Sequence, residues 1–137
     1  MPRMLIVDDD PAWRNLYRMT FETQFEVFEA MDGFQALSVL DAVRPDVVIL
    51  DLRMPKMDGF DFVQRLQKRG VHIPIVVCSG TVGFGDRPPI TGVHIAAKTP
   101  DLRDVWAALR IAVPEAAEVV TSVSKQVAPV DQELWRD

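Results

Sequence analysis

The sequence predicts an α/β fold in which one parallel sheet of five strands is covered by helices on both faces. Five short apolar runs alternate with segments whose apolar residues recur at intervals of three and four positions. A regular alternation of strands and helices requires a parallel sheet, because each helix carries the chain back to the start of the next strand. The runs are residues 4–7, 25–30, 47–50, 75–78 and 95–97.

Four helices are predicted after the first, second, third and fifth runs, mainly from their terminal residues. Asp10, which precedes a proline, and Asp32 have the pattern of N-caps. Gly70 ends the third helix, since glycine readily adopts positive φ, and Thr99 with Pro100 caps the last. The apolar stripes of the four helices are Trp13, Leu16, Tyr17 and Phe21; Phe34, Leu37 and Leu40; Phe60, Val63 and Leu66; and Leu102, Val105, Trp106, Leu109 and Val113.

Length and composition fit a single domain and exclude some partners. A chain of 137 residues with 48% apolar content can bury a core of ordinary size. Its net charge of -5 argues against binding to nucleic acid or an anionic membrane, which needs a basic face, so a protein partner is expected. Cys78 lies inside an apolar run and is predicted to be a small core residue. Without a leader-like N-terminus or an apolar stretch of about 20 residues, the protein is expected to be soluble and cytoplasmic.

Polar side chains at the ends of the apolar runs form the candidate site. Asp8 and Asp9 follow the first run, Asp51 the third, Ser79 the fourth and Lys98 the fifth. The carboxyl ends of parallel strands meet at one edge of a sheet, where open α/β folds bind ligands. Two carboxylates ~4 Å apart repel by about 1 kcal/mol in water and about 4 kcal/mol at an effective dielectric near 20. A cation such as Mg²⁺ or a lysine should therefore share the site, an arrangement that suits phosphoryl transfer to a carboxylate.

This ordered set of residues resembles the receiver domain of two-component response regulators, and the resemblance covers roughly residues 3 to 113. It implies a flavodoxin-like, doubly wound sheet with the strand order 2-1-3-4-5, an order for which receiver proteins are a standard example. The matching features are Asp8 and Asp9 as the acidic pair, residues 51–59 as the phosphoacceptor loop, Ser79 as the switch hydroxyl and Lys98 as the lysine.

The resemblance implies a phosphoacceptor role for Asp51. A sensor histidine kinase or a histidine phosphotransfer protein would supply the phosphoryl group, and the product would be an aspartyl phosphate. Lys98 would pair with one phosphoryl oxygen and Ser79 would donate a hydrogen bond to another. The resulting conformational change would be read by a downstream protein target.

The resemblance also implies a Mg²⁺ site. Its ligands would be Asp9, Asp8 partly through water, Asp51 and the backbone carbonyl of Arg53. The metal would neutralise charge on the transferring phosphoryl oxygens.

Two features depart from the family on the face that receivers commonly use for output. Residues 80–92 contain four glycines and two adjacent prolines. Because each interior glycine costs a helix about 1 kcal/mol and each proline about 3, we expect the fourth helix of the family to be shortened or replaced by a loop. Ile95 stands where the family usually has an aromatic residue. The response is therefore predicted to be an ordering of residues 80–92, and a phosphorylation-independent interaction module on a receiver scaffold remains the alternative.

An independent enzyme is not expected. A phosphatase of the haloacid dehalogenase type also phosphorylates an aspartate after a strand, but it needs a second aspartate two positions later. That position is Arg53 here. We expect the chain to catalyse only its own phosphorylation and dephosphorylation.

The predicted domain organisation is a receiver domain over residues 1–113 and a C-terminal extension over residues 114–137. Small apolar residues recur at helical spacing in the extension, but their β-branched character lowers helix propensity. One interpretation is an extra helix that packs on the domain or on a second copy, giving a homodimer, with Trp135 as an anchor. The other is a partly disordered tail.

Overall fold

The computed structural model describes residues 1–80 and 93–114, which form a five-stranded parallel sheet with helices on both faces. The sheet order is β2-β1-β3-β4-β5, and every neighbouring pair of strands is parallel. The predicted fold class and strand order are confirmed. In chain order the elements are β1 Arg3–Val7, α1 Pro11–Phe21, β2 Glu26–Ala30, α2 Gly33–Val43, β3 Val47–Asp51, α3 Gly59–Lys68, β4 Ile75–Ser79, β5 Val93–Ala97 and α4 Arg103–Ala112.

The apolar core lies in two layers, one on each side of the sheet. Helices α1 and α4 cover one face, where Phe21, Leu109 and the inward side chains of the central strands pack together. Helices α2 and α3 cover the other face, with Leu40 and Phe62 among the buried residues. Strands β3 and β4 are buried along their whole length. Because both faces of the sheet are covered, polar side chains of the central strands come together at the ends of these strands.

Aspartate caps begin the first three helices, as the sequence predicts for the first two. An oxygen of Asp10 accepts a hydrogen bond from the backbone N–H of Ala12 at 2.9 Å. An oxygen of Asp32 accepts one from Gln35 at 2.7 Å, and Asp58 caps α3 in the same way. These bonds satisfy backbone donors that have no partner inside the helix. The caps fix where each helix leaves the carboxyl edge of the sheet.

The predicted cap of the last helix is wrong. Helix α4 begins at Arg103, and its N-cap residue is Leu102, with φ of 55° and no side-chain cap. The Thr99 hydroxyl instead donates to a carboxylate oxygen of Asp101, which also accepts the backbone N–H of Arg103. Leu102 is almost fully buried in the core. We attribute the left-handed backbone at this position to that burial, which here outweighs the usual preference for a polar cap.

The predicted orientation of Phe34 is also wrong. Its side chain is 49% exposed, and the guanidinium of Arg65 lies 5.6 Å from the centre of its ring. The buried residues of α2 are Gly33, Ala36, Leu40 and Val43. Gly33 faces inward and packs so closely on Met57 that a Cβ there would lie 2.7 Å from the Met57 sulfur. The next residue along the helix is thereby turned outward.

Some predictions lie outside the described residues. They are the shortened fourth helix and the ordering of residues 80–92, apart from Gly80, and the form of the C-terminal extension beyond Pro114, including Trp135 as an anchor. Among the helices of residues 1–80 and 93–114, none combines the length and apolar character needed to span a bilayer.

Candidate functional site

The strand register brings the predicted site residues to one edge of the sheet. Val7, which precedes the acidic pair, is the register partner of Leu50, which precedes Asp51. On the other side of β3, Asp51 itself pairs with Cys78. The carboxyl ends of β1, β3 and β4 therefore lie side by side. Open α/β folds bind their ligands at this end of the sheet.

Three carboxylates meet at this edge. One oxygen from each of Asp8, Asp9 and Asp51 lies within 4.8 Å of the others. Asp8 is 1% exposed and Asp51 6%, whereas Asp9 is exposed to solvent. Hard dications prefer such oxygen donors, and Mg²⁺ in particular combines one or two carboxylates with water molecules. Two buried acids beside a solvent-facing one fit that chemistry.

Lys98 supplies one cation to the acidic cluster. Its Nζ lies 2.8 Å from Oδ2 of Asp8 and 3.4 Å from Oδ1 of Asp51, and its side chain is only 12% exposed. On another side of the amine, the centre of the Trp13 ring is 5.0 Å from Nζ. The backbone N–H of Lys98 donates to the carbonyl oxygen of Ser79 at 2.9 Å, which fixes the end of β5 against β4.

The charges of the cluster do not balance. Burial, reinforced by the negative charge of Asp8 and opposed by Lys98, raises the pKa of Asp51 to about 6. For Lys98, burial alone would lower the pKa, but the hydrogen bond to Asp8 and the charges of both acids outweigh it, and the pKa is raised. Three carboxylates against one ammonium leave an excess of two negative charges when all are ionised. The site is therefore suited to a further cation.

Backbone contacts hold the two buried acids in place. An oxygen of Asp8 accepts the N–H of Asp10 at 2.9 Å, and an oxygen of Asp51 accepts the N–H of Arg53 at 3.2 Å. The guanidinium of Arg14 donates to the Asp8 carbonyl at 2.7 Å and pairs with Glu29 at 3.3 Å. These contacts tie the acidic edge to α1 and β2.

Gly59 allows α3 to begin directly beside Asp51. Its N–H donates to the carbonyl of Leu52 at 2.9 Å. A Cβ at this position would lie 2.6 Å from the Asp51 carbonyl oxygen and 2.9 Å from the Leu52 Cα. Both contacts are with backbone atoms, which cannot move aside easily. Only glycine lets the two segments approach so closely.

The other predicted site residues lie as follows. Ser79 is buried at the end of β4, next to the backbone of Lys98. The side chain of Arg53 is exposed. Cys78 is buried, as predicted, and burial raises the pKa of its thiol to about 12, which disfavours the reactive thiolate.

Sequence reasoning missed two neighbours of the site, Trp13 and Arg14. It assigned Trp13 only to an apolar helical stripe and gave Arg14 no role. Their position in the first turn of α1 could have indicated a role at the site, because this helix starts at the same end of the sheet as Asp8. Residues in such a turn lie close to whatever the strand ends hold.

A doubly wound sheet of this order, with an acidic cluster and a lysine at its carboxyl edge, defines the receiver class of signalling domains. Comparison with known proteins identifies the particular family. The sequence pattern of the response regulator receiver domain matches residues 4–87, and the chain belongs to this family of two-component signalling proteins.

Curated relatives contain similar sequences within longer proteins. The chain is 40% identical over 90 residues to the DNA-binding dual master transcriptional regulator RpaA of Synechocystis sp., covering 64% of this chain and 37% of that protein. It is 35% identical over 99 residues to a protein-glutamate methylesterase/protein-glutamine glutaminase of Cereibacter sphaeroides, covering 70% of this chain and 27% of that protein. The chain thus spans well under half the length of these relatives.

Solved structures share the fold. The response regulator TrrA of Thermotoga maritima, crystallised with Mg²⁺ and BeF, matches with a TM-score of 0.75 at 22% identity, covering 82% of this chain and all of that one. The chemotaxis protein CheY4 of Vibrio cholerae matches with a TM-score of 0.67 at 29% identity, covering 82% of this chain and 99% of that one.

Proposed function

We propose that this chain is a response regulator of one receiver domain that accepts a phosphoryl group on Asp51 in a Mg²⁺-dependent reaction. A sensor histidine kinase or a histidine phosphotransfer protein would be the donor. The observation that carries the proposal is the position of the Lys98 ammonium, 2.8 Å from Asp8 and 3.4 Å from Asp51, with Asp9 completing the acidic cluster.

The residues present fit a magnesium ion. Asp8, Asp9 and Asp51 offer oxygen ligands, and we assign the backbone carbonyl of Arg53 as a further ligand. When bound, Mg²⁺ would offset the negative charge on the transferring phosphoryl oxygens. The excess of acid over base in the cluster is consistent with this assignment.

The proposed reaction is a single displacement at phosphorus. A carboxylate oxygen of Asp51 forms the new bond to phosphorus while the bond from phosphorus to the donor histidine nitrogen breaks. The nitrogen retains the electron pair and takes up a proton, and the product is an acyl phosphate. Only the ionised form of Asp51 can attack the phosphorus.

Lys98 and Ser79 are the proposed partners of the new phosphoryl oxygens. The Lys98 amine already lies beside the carboxylate that would carry the phosphoryl group. Ser79 ends the neighbouring strand, and its hydroxyl would donate to another oxygen. Contacts that exist only in the phosphorylated form shift the conformational equilibrium, and we propose that a downstream protein target reads this shift in the cytoplasm.

Incubation with acetyl phosphate and Mg²⁺, followed by intact mass spectrometry, tests the proposal. The wild-type chain should gain the mass of one phosphoryl group, and Asp51→Asn should gain none. Asp32→Asn is the matched control, because Asp32 is a helix cap at the same edge and asparagine preserves a cap. This control should be phosphorylated like the wild type. A folded wild-type chain that gains no mass would instead favour a phosphorylation-independent interaction module.

A further inference from the structure

Trp13 makes a contact with Lys98 that the proposed chemistry has not used. The centre of the indole ring lies 5.0 Å from the Lys98 Nζ, within the range of a cation–π interaction. Trp13 is the third residue of α1 and contacts the Tyr17 ring one turn later, with ring centres 6.0 Å apart. It also packs against the core layer beneath α1. The ring is therefore held in place from two sides while its face meets the amine.

The ammonium is enclosed by contacts of different kinds. Asp8 and Asp51 hold it through charged oxygens at 2.8 and 3.4 Å, and Trp13 covers it with an aromatic face. A ring face attracts a cation placed anywhere over it within about 6 Å of the ring centre. If Lys98 moves toward a phosphoryl oxygen, it can leave a carboxylate and remain over the ring.

We propose that Trp13 is a positioning residue that keeps the Lys98 ammonium directed at Asp51 during phosphoryl transfer. This inference rests on the proposed function of the site. It assigns the aromatic face, in addition to the bulk of the side chain, a role in the reaction. Once Lys98 exchanges a carboxylate for a phosphoryl oxygen, a long lysine side chain without the ring would have rotamer freedom to turn its amine toward water.

The first test compares an aromatic with an aliphatic replacement. Trp13→Phe keeps a ring face, whereas Trp13→Leu and the unbranched Trp13→Met keep only apolar bulk. With acetyl phosphate and saturating Mg²⁺, the phosphorylation rate of the Phe variant should stay near wild type. The rates of the Leu and Met variants should fall about three- to tenfold, the range expected from loss of one cation–π contact.

Trp106→Leu is the control for general destabilisation. Trp106 packs on the same layer, with its ring centre 4.7 Å from that of Phe21, and no ring contact joins it to Lys98 among the described residues. Its variant should lose stability and keep the wild-type phosphorylation rate. Equal rates for Trp13→Leu and wild type, or equal losses for Trp13→Phe and Trp13→Leu, would overturn the inference.

The second test does not depend on phosphorylation. A double-mutant cycle with Trp13→Leu and Lys98→Met measures their coupling from urea unfolding without Mg²⁺. The unfolding equilibrium constant of the double variant should differ about three- to tenfold from the value expected if the two changes were additive. Additive effects would refute the contact itself. A wild-type chain that is never phosphorylated but shows this coupling would refute the proposed function, and with it the positioning role of Trp13, and would retain only the Trp13–Lys98 contact.

Discussion

Asp51 lies where its ionised form is disfavoured, because burial and the charge of Asp8 act in the same direction. Lys98 compensates only in part, since it also pairs with Asp8. An acid whose pKa is raised in the folded state binds its proton more tightly there than in the unfolded chain. Its ionisation therefore lowers stability as pH rises from the usual value of 3.8 to about 6. Above that pH range, the stability that protonated Asp51 contributes is completely lost.

Replacing Asp51 should consequently stabilise the metal-free protein. At pH 7.5 in EDTA, Asp51→Asn should unfold at higher urea concentration, with a gain of about 2 kcal/mol from removal of the buried charge. The gain should shrink as pH falls toward 4, where the wild-type carboxyl is protonated. Urea titrations at several pH values measure it, with Asp32→Asn as the control that gains nothing. A gain independent of pH would contradict the assigned electrostatics.

The convergence of the acids with Lys98 could be predicted at the residue scale because strand ends determine it. A residue that follows any strand of a parallel sheet reaches the same end of that sheet, so Asp8, Asp51 and Lys98 could be placed there from the chain alone. Trp13 could not be placed in this way. The direction of a helical side chain depends on how the helix packs, and an aromatic residue on an apolar stripe looks the same whether it covers core or an amine.

At the scale of elements, the turn between β3 and α3 is constrained by Gly59. Gly59→Ala should destabilise the protein by about 2 to 3 kcal/mol, because the added Cβ meets backbone atoms of Asp51 and Leu52. It should also slow phosphorylation, since relieving the contact displaces Asp51. Urea unfolding and the acetyl phosphate assay measure the two effects.

Gly33→Ala is the matched comparison for this prediction. Its Cβ would meet the Met57 side chain, which can change rotamer, so the loss of stability should be smaller than at Gly59. Equal losses at the two glycines would show that the backbone contact beside Asp51 is unimportant.

Helix starts could be predicted where a polar N-cap residue determines them, but not where packing in the core determines them. Asp10 and Asp32 cap their helices through contacts between near neighbours in the chain. The start of α4 depends on burial of Leu102, and the rotation of α2 depends on contact between Gly33 and Met57. Those contacts join segments distant in sequence, which a local pattern does not contain.

At the scale of the whole molecule, ion binding should be linked to global stability. A ligand that binds only the folded chain stabilises it by about 1.4 kcal/mol at ten times its dissociation constant. Mg²⁺ should therefore shift the urea transition of the wild-type protein upward. Asp9→Asn should reduce this shift, because Asp9 contributes to the cluster while remaining exposed. The Asp32→Asn control should respond to Mg²⁺ like the wild type, and an undiminished shift in Asp9→Asn would count against Asp9 as a ligand.

The parallel sheet could be predicted from the apolar runs and the helices between them, whereas its strand order was implied by the resemblance to receiver domains. Because β3 and β4 are buried on both faces, polar side chains can gather only at the ends of these strands. The fold class and the meeting of the acids at one end of the sheet therefore follow from the same apolar pattern. The partner and the input signal do not, because they depend on surface contacts that this pattern does not encode.

The central claim is that Asp51 is the residue that carries the phosphoryl group, and chemical mapping tests it most directly. Borohydride reduces an acyl phosphate of aspartate to homoserine, so the chain is treated with acetyl phosphate and Mg²⁺, reduced and digested. Peptide mass spectrometry should find homoserine at position 51 and aspartate at positions 8, 9 and 32. Homoserine at another position, or unmodified Asp51 in a protein that has gained a phosphoryl group, would contradict the account.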